Sequence, residues 1–496
     1  MQTKRLRISP IDPIQIKDLS LRLQQAASAT IDSSSAVFFR IAFGSCICYW
    51  AWDYMSSGIV RTRYIEPDFH FTYLYLDFIF PLPGPWMYVL FTCICLLGLF
   101  VALGLCYRIA SILLAVLFTY VFLLDKTNYQ NHYYLISLIA WWMPFLPLNR
   151  TVAFDVWIKP SSELCVIPAW VLWVIRFHVG LPYFMGGMAK FIPDWLLGFP
   201  MGEMIASKSD LPLIGAFLAW EPLGLIMSWG GLLFDLLVVL FLLYPRTRTV
   251  AYLCCIAFHL TNSVVFNIHI FPWFMILATP IFFDSTWPKR VLNSGRLLAP
   301  GQVQSRSSEG IKQVSIGFLL FLGFYSAFHI MWPLRHFAME GDASWHERGH
   351  YFSWRMMLRG KKVVLGFALK DPVTKQVSDG QPTRFLNPEQ YERMGRDPDM
   401  ILQFAHFLRD EYRSRTGQEP EVYALVLASL NGRKPALMID PNVNLASEKR
   451  GLGTRAWVLP NTEPLIWPPW SIPPSEWRNH IEIPSLKFLK EDSNSN

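Results

Sequence analysis

The stretch FHVGLPYFMGGMAKFIPDW, Phe177 to Trp195, joins an apolar run to a single lysine near its end. The apolar part has the composition of a membrane helix, and Lys190 follows it directly. Two interpretations of this lysine are open. It could mark the point where a helix leaves the bilayer, with its ammonium group reaching back to water. Alternatively, it could be a general base held at the membrane edge, because burial in a low dielectric lowers the pKa of a lysine.

The composition of the whole chain indicates a membrane protein. Hydrophobic residues make up 52% and charged residues only 16% of the 496 residues, whereas soluble domains average about 25% charged residues. The net charge of +7 is too diffuse to predict nucleic acid binding. The eight cysteines lie almost all in apolar segments, so we interpret them as small buried residues. Residues 1–35 are polar and contain no cleavable signal peptide, so the first apolar span is expected to target the membrane.

Apolar runs recur along most of the chain and are separated by polar or proline-rich breaks. A helix needs about 17–25 mainly apolar residues to cross a bilayer. Several runs are short or contain proline and histidine, which predicts broken or tilted helices. The aromatic segment 59–85 is not a clean span and suits an interfacial or re-entrant element. The sequence therefore predicts an all-α polytopic membrane domain of about nine transmembrane helices, at 37–56, 86–105, 109–124, 131–148, 169–187, 222–244, 249–266, 268–283 and 314–333.

Lysine and arginine collect on one side of these predicted spans. Cytoplasmic loops of membrane proteins carry an excess of both residues. This bias predicts a multi-pass protein with a cytoplasmic N-terminus and a non-cytoplasmic C-terminal domain; one span more or fewer would reverse the second statement. The predicted cytoplasmic set is Lys4, Arg5, Arg7, Lys17, Arg22, Arg108, Arg150, Lys159, Arg246, Arg248, Lys289, Arg290, Arg296, Arg306 and Lys312, and the opposite set is Arg61, Arg63, Lys126, Lys190 and Lys208.

The chain after residue 335 has a different character. Its charge rises, and short alternating runs such as KKVVLGFALKD, EVYALVLASLNG and PALMID predict strands. An amphipathic helix is predicted around 398–415. We therefore expect a cytoplasmic N-terminal segment at 1–36, a transmembrane domain at 37–334, and a small extramembrane α+β domain at 335–496.

Three groups of polar residues in or beside the predicted spans are candidates for chemistry, because such groups are costly at membrane depth. Asn131 and His132 open the fourth span; either an asparagine caps a helix there, or His132 faces a cavity as a donor or acceptor. Lys190 is the second candidate. His259 and Asn262 lie one helical turn apart and form either an interhelical hydrogen-bonded pair or part of a pocket.

A metal site is not expected from the sequence. His259 and His269 have no carboxylate beside them, and His346 and His350 lack a convincing third ligand. His346 and His350 lie in the stretch from Ser344 to Lys362. We interpret this stretch as a surface or membrane-interface segment, because it is rich in tryptophan and arginine.

Several stretches together resemble the vitamin K-dependent γ-glutamyl carboxylase family, within the wider group of horizontally transferred transmembrane (HTTM) proteins. DKTNYQNHYYL resembles the family's D-K-T-x-x-x-N-H-x-Y-L stretch, and YFMGGMAKFIPDW resembles Y-F-x-x-G-x-x-K-x-x-x-D-W. The segments FHLTNSVVFNI, PIFFDSTWPKR, FSWRMML, IDPNVNL and RAWVLP resemble later family elements in the same order. The resemblance covers about 37 to 460, and the shared order of motifs makes it specific.

The resemblance implies a carboxylase of the carbon–carbon lyase class with vitamin K epoxidase activity. Reduced vitamin K, a naphthohydroquinone, would be the co-substrate with O₂ and CO₂, without a metal, and a glutamate-containing protein or peptide would be the partner. By resemblance, Lys190 deprotonates the quinol and His132 assists the carboxylation half-reaction. The resemblance assigns four further residues to the quinol pocket: Asn131, Tyr183, His259 and Asn262.

The chain departs from the animal enzymes of the family in two ways. Those enzymes have two adjacent lysines at this site, whereas Ala189 precedes Lys190 here, so the base itself is kept. The chain is also shorter at its C-terminus, which fits a short bacterial-type homologue and puts propeptide recognition in question. The expected location is a bacterial inner membrane or the endoplasmic reticulum. Two alternatives stay open: a quinol epoxidase that does not carboxylate glutamate, and a non-enzymatic HTTM-type scaffold or maturation factor.

Overall fold

The computed structural model describes residues 13–210, 215–218, 220–266, 268–294 and 313–483. Basic residues used for the predicted orientation that lie outside this part of the chain are Lys4, Arg5, Arg7, Arg296, Arg306 and Lys312. The helices are α1 (Pro13–Ser28), α2 (Ser34–Ser56), α3 (Pro85–Leu103), α4 (Tyr107–Leu123), α5 (Asn131–Trp142), α6 (Phe154–Ile158), α7 (Trp170–Ala189), α8 (Pro193–Leu196), α9 (Met201–Ala206), α10 (Gly215–Leu218), α11 (Glu221–Leu243), α12 (Arg248–Val265), α13 (Phe271–Ala278), α14 (Trp287–Ser294), α15 (Ile316–Met331), α16 (Ala343–His346), α17 (Pro388–Arg396), α18 (Pro398–Thr416) and α19 (Trp477–His480). The strands are β1 (Thr30–Asp32), β2 (Val166–Pro168), β3 (Lys361–Lys370), β4 (Val377–Asp379), β5 (Glu421–Leu430) and β6 (Ala436–Leu437).

The nine predicted spans each contain one helix, but most of these helices are too short or too polar to qualify as a span. Within the described residues, four helices are long and apolar enough to cross a membrane, so the predicted count of nine transmembrane helices is not confirmed. Prolines account for part of the difference between the nine predicted and the four qualifying helices, because proline lacks the N–H that continues a helix. Pro144 follows the end of α5, and Pro280 follows the end of α13. The four qualifying helices are Ser34–Ser56, Pro85–Leu103, Glu221–Leu243 and Ile316–Ala338.

Aromatic side chains form much of the core between the membrane helices. Trp50 and Tyr54 on α2 both contact Tyr133 on α5. The Trp50 indole N–H donates to the Tyr133 hydroxyl at 3.1 Å, and the Tyr54 and Tyr133 hydroxyls are 2.5 Å apart. These buried hydrogen bonds fix the first turn of α5, where the sequence predicts a functional histidine.

The C-terminal region, residues 343–483, contains a four-stranded antiparallel sheet in the order β4-β3-β5-β6. The central strands pair from Lys361 opposite Leu430 to Lys370 opposite Glu421. Helices α17 and α18 pack against this sheet through a separate core, in which the Phe367 and Phe404 rings lie 5.2 Å apart. The predicted strands and the predicted amphipathic helix are confirmed, so the chain combines a mainly helical membrane region with a small β-sheet region.

The aromatic segment 59–85 connects the two regions. It begins with a π-helical turn at Arg61–Ile65 and then follows an irregular path. Phe71 is fully buried in the core of the C-terminal region, and Arg63 donates two hydrogen bonds to Glu389 at 3.1 and 3.0 Å. The segment therefore holds the C-terminal region against one end of the helical region.

Candidate functional site

Lys190 lies at the C-terminal end of α7 and is almost completely buried. The residue is 6% exposed, and its backbone N–H donates to the Gly187 carbonyl at 3.0 Å. A lysine that marks the membrane edge would hold its ammonium group in water. The first interpretation of Lys190 is therefore wrong, because its side chain turns into the protein instead of reaching the surface.

Asp235 on α11 is the ion-pair partner of Lys190. The Lys190 Nζ atom donates to Asp235 Oδ2, and both side chains are buried. Gly186 lies beside the pair, since a Cβ atom there would be in ordinary contact with Asp235 Oδ2 at 3.5 Å, whereas it would crowd Met356 Cε at 2.9 Å. Sequence reasoning missed Asp235, although a carboxylate inside an apolar 23-residue helix is itself a signal for function.

The acid and the tryptophan that close the quoted stretch have separate contacts. The Lys190 Nζ atom lies 5.1 Å from the centre of the Trp195 ring, within the range of a cation–π interaction. The Trp195 indole N–H donates to the Ser228 carbonyl on α11 at 2.8 Å. Asp194 instead accepts two hydrogen bonds from Arg433 in the C-terminal region, at 2.6 and 2.9 Å. The segment from Lys190 to Trp195 therefore contacts both α11 in the helical region and Arg433 in the C-terminal region.

The segment before α5 is also attached to the C-terminal region. Asp125 caps a short 3₁₀ helix by accepting hydrogen bonds from the Thr127 N–H and hydroxyl, at 2.8 and 2.6 Å. Lys126 Nζ lies 2.8 Å from Asp397 and 2.9 Å from Asp399. Burial alone lowers the pKa of Lys126, but these two carboxylates raise it above the usual lysine value. Lys126 therefore stays in its charged ammonium form, and its two ion pairs attach this segment to the C-terminal region.

His132 follows this anchored segment in the first turn of α5. Gln130, not an asparagine, is the N-terminal cap residue of α5, so the capping interpretation of Asn131 is wrong. The Asn131 side chain accepts a hydrogen bond from the Tyr129 hydroxyl at 3.0 Å. The His132 ring is buried and stacks on Phe271, with ring centres 5.1 Å apart. Its Nε2 atom has no hydrogen-bond partner among the described residues, and an unpaired buried polar atom costs about 1–3 kcal/mol.

Tyr183 and His259 form a hydrogen-bonded pair between α7 and α12. The Tyr183 hydroxyl lies 2.5 Å from His259 Nε2, and both residues are buried. The His259 ring also contacts Phe271, with ring centres 5.9 Å apart. Its Nδ1 atom is buried without a partner in the described part of the chain. Asn262 lies one turn further along α12 and is half-buried.

Tyr183 connects the lysine with the histidines. It precedes Lys190 by seven residues, about two helical turns, so the two side chains lie on one face of α7. Its ring contacts Phe234, the neighbour of Asp235, with ring centres 5.9 Å apart. The structure therefore brings three of the predicted site residues together at Phe271, namely Tyr183, His259 and His132. Lys190 lies about two helical turns further along α7, and Asn131 and Asn262 lie at the edges.

A cavity of about 470 Å³ opens between α11 and α12 beside this cluster. Its lining is almost entirely apolar, with Arg246 and Thr247 as the polar residues. Phe234 lines the cavity, contacts Tyr183, and stacks on Phe258 with ring centres 4.3 Å apart. An apolar cavity with a few polar groups beside it is the common form of a small-molecule site. Within the described residues, no group of three His, Cys, Asp or Glu side chains could hold a metal ion.

Comparison with known protein families agrees with the resemblance seen in the motifs. The HTTM domain model matches residues 29–287, which is just over half of the chain. The model of the vitamin K-dependent gamma-carboxylase lumenal domain matches residues 315–464. No solved structure matches the chain. With both matches in sequence order across the helical region and the sheet, the chain belongs to the vitamin K-dependent gamma-carboxylase family.

Proposed function

We propose that the protein is a vitamin K hydroquinone-dependent γ-glutamyl carboxylase that also forms vitamin K epoxide. The observation that carries this proposal is the pair of buried atoms His132 Nε2 and His259 Nδ1, which lack partners among the described residues. Both rings contact Phe271, so a flat aromatic diol can stack there and hydrogen-bond to the two nitrogens. The cavity beside Phe234 supports the same proposal, because the isoprenoid tail of the quinol needs an apolar path.

Lys190 is the proposed base for the hydroxyl proton of the quinol. Its burial beside Trp195 keeps water from competing for that proton. Reaction of the bound quinol with O₂ supplies the strong base that removes the γ-hydrogen of glutamate. Tyr183 and His259 are proposed to orient the quinol ring through their shared hydrogen bond. His132 is proposed to assist the addition of CO₂.

Asn131 and Asn262 are proposed to border the pocket. The Tyr129 hydroxyl that binds Asn131 also accepts a hydrogen bond from the backbone N–H of Phe352, at 2.7 Å, in the C-terminal region. A glutamate-containing protein or peptide, the proposed partner, would therefore reach the pocket where the two regions meet.

We also propose the predicted division of the chain into parts at 1–36, 37–334 and 335–496, with the last part outside the cytoplasm. The loops that carry Arg63, Lys126 and Asp194 all contact the C-terminal region. These contacts support the same side of the membrane for the three loops and the C-terminal region, and all three loops carry basic residues that the charge bias assigns to the non-cytoplasmic side.

A reporter inserted into the full chain after residue 335 is expected to signal a periplasmic, lumenal or exterior location. The matched control is a reporter between Arg246 and Thr247, in the loop that joins α11 and α12, which is expected to signal the cytoplasm. Cytoplasmic signal after residue 335 would reverse the proposed orientation and remove the C-terminal region from any exported substrate.

Purified protein with reduced vitamin K and O₂ tests the proposed function directly. We expect epoxide formation, and incorporation of ¹⁴CO₂ into an added glutamate-containing peptide. Epoxide without CO₂ fixation would support the alternative of a quinol epoxidase that does not carboxylate glutamate. Absence of both products would support the scaffold alternative and contradict the proposal.

His132→Ala is expected to reduce CO₂ incorporation about a hundredfold, the usual size of an acid–base contribution, with a much smaller loss of epoxide. His178→Ala is the matched control, since His178 is also buried on a membrane helix but hydrogen-bonds to Tyr325, away from Phe271. The control should lower both products in proportion to protein yield. Equal loss of both products in His132→Ala at normal protein yield would contradict a role of His132 in CO₂ addition that is separate from epoxide formation.

A further inference from the structure

Asp235 is a buried carboxylate to which the proposed mechanism has so far given no role. It is 4% exposed and lies near the middle of α11, whose remaining residues are mostly apolar. A charged side chain in the middle of an apolar membrane helix is costly to bury. A buried ion pair is weak evidence for stability, because apolar residues of similar volume usually serve as well. The free-energy cost of burying Asp235 therefore indicates a role that two apolar side chains in place of the ion pair could not fill.

The position of Asp235 is fixed by helix packing. It belongs to a stripe of buried residues that face the helix bundle, including Ser228, Leu232 and Leu242. Helices α7 and α11 approach closely at this point, since a Cβ atom on Gly187 would lie 3.0 Å from the backbone nitrogen of Leu236. The carboxylate consequently has little freedom, and it meets Lys190 beside this close approach of the two backbones.

We propose that Asp235 is the positioning residue of the Lys190 base. The inference rests on the proposed function. The transfer begins when the Lys190 ammonium passes one proton to the Asp235 carboxylate, with which it is hydrogen-bonded, and becomes a neutral amine. The O–H bond of the quinol then breaks, its proton joins Lys190 Nζ, and the ammonium forms again beside the quinolate. Asp235 thus acts on the quinol only through Lys190, whose Nζ also donates to the Gly186 carbonyl at 3.4 Å. The arrangement gives the base a fixed direction and a buried acceptor for its proton.

Substitutions at Asp235 test whether the carboxylate itself is needed. Asp235→Asn keeps the shape but removes the charge, and we expect epoxidation to fall about a hundredfold, as for a misplaced catalytic group, with an unchanged quinol KM. Asp235→Glu keeps the charge and should retain more activity than Asp235→Asn. An Asp235→Asn enzyme as active as wild type would overturn the proposal.

Amine rescue separates positioning from packing. Lys190→Ala removes the lysine, so any effect of Asp235 on the packing of that side chain is already absent. Small primary amines should restore part of the activity of Lys190→Ala, and they should restore about tenfold less in Lys190→Ala/Asp235→Asn, which lacks the carboxylate that orients the amine and accepts its proton. The double variant removes both buried charges, so it answers the question even if Asp235→Asn alone fails to accumulate. Equal rescue of the two variants would contradict the proposal.

Acetylation of Lys190 gives a readout that does not depend on epoxidase activity. Acetic anhydride reacts with the neutral amine, so labelling of Lys190 should be about tenfold faster in Asp235→Asn than in wild type. Lys126, which is also buried and paired with carboxylates, is the internal control and should label equally in both proteins. Equal labelling of Lys190 in the two proteins would overturn the inference. An inactive wild type with the expected labelling difference would contradict the proposed function alone.

Discussion

Lys190→Arg is expected to abolish quinol epoxidation while the protein still folds and inserts into the membrane. Arginine keeps the positive charge and can still pair with Asp235, so the buried ion pair survives. It cannot act as a base, because a guanidinium does not deprotonate in proteins. We expect a loss of about a thousandfold, within the range of a general-base contribution. Epoxide formation by protein purified in matched amounts measures the effect.

Lys190→Ala should be equally inactive, but small amines should rescue it in the order of their basicity. The vacated space beside Trp195 and Gly186 can hold a small amine, whereas the arginine side chain fills it. Lys208→Ala is the matched control, since Lys208 is an exposed lysine shortly after the site, and it should keep wild-type activity. Substantial epoxidation by Lys190→Arg would remove Lys190 from the role of base and leave it as half of a structural ion pair.

Of all the substitutions proposed, Lys126→Met is expected to lower the free energy of unfolding the most. The substitution removes the cation from Asp397 and leaves Asp399 with Arg455 and Arg450 only, and removal of one partner from a buried pair costs about 3–5 kcal/mol. Thermal unfolding in detergent and release of the C-terminal region by protease measure the effect. The control is Arg415→Met, because Arg415 and Glu411 form an exposed pair on α18 that should contribute at most about 1 kcal/mol. A Lys126→Met protein as stable as this control would show that the contact is dispensable.

The contribution of Lys126 should not change across ordinary pH. Burial raises the pKa of Asp399, but the charges of Lys126, Arg455 and Arg450 lower it below its usual value. A lowered carboxyl pKa contributes stability above about pH 4, lost as the pH falls further. The raised pKa of Lys126 contributes below about pH 10, lost as the pH rises further. The stability difference between wild type and Lys126→Met should therefore be constant from about pH 5 to about pH 9.

Hydropathy predicted where the apolar helices lie, but among the described residues only four of them are confirmed as long and apolar enough to cross a membrane. The apolar run at 131–148 is long enough to span, yet its helix ends at Trp142 because Pro144 interrupts the backbone hydrogen bonds. The run at 268–283 is divided in the same way by Pro280. Average hydropathy does not register the loss of a backbone N–H, so proline-containing runs were counted as full spans.

The sequence predicted candidate site residues but not the residues that they contact. The motif around Lys190 indicated a functional lysine, whereas its burial depends on Asp235, which lies 45 residues later in the chain. Asp194 pairs with Arg433 at a separation of 239 residues. Contacts at such separations depend on how the C-terminal region docks, and no local periodicity in the sequence records that geometry.

The attachment of both site segments to the C-terminal region has a consequence for the order of synthesis. Lys126 and Asp194 leave the ribosome long before Asp399 and Arg433, which follow them by 273 and 239 residues. At about 5–20 residues per second, the nascent chain waits roughly ten to fifty seconds with these charges unpaired. The membrane helices are thus inserted with an unfinished site. Under the proposed function, oxygen chemistry would begin only after translation has delivered the C-terminal region, so the unfinished chain would not be exposed to the proposed reaction.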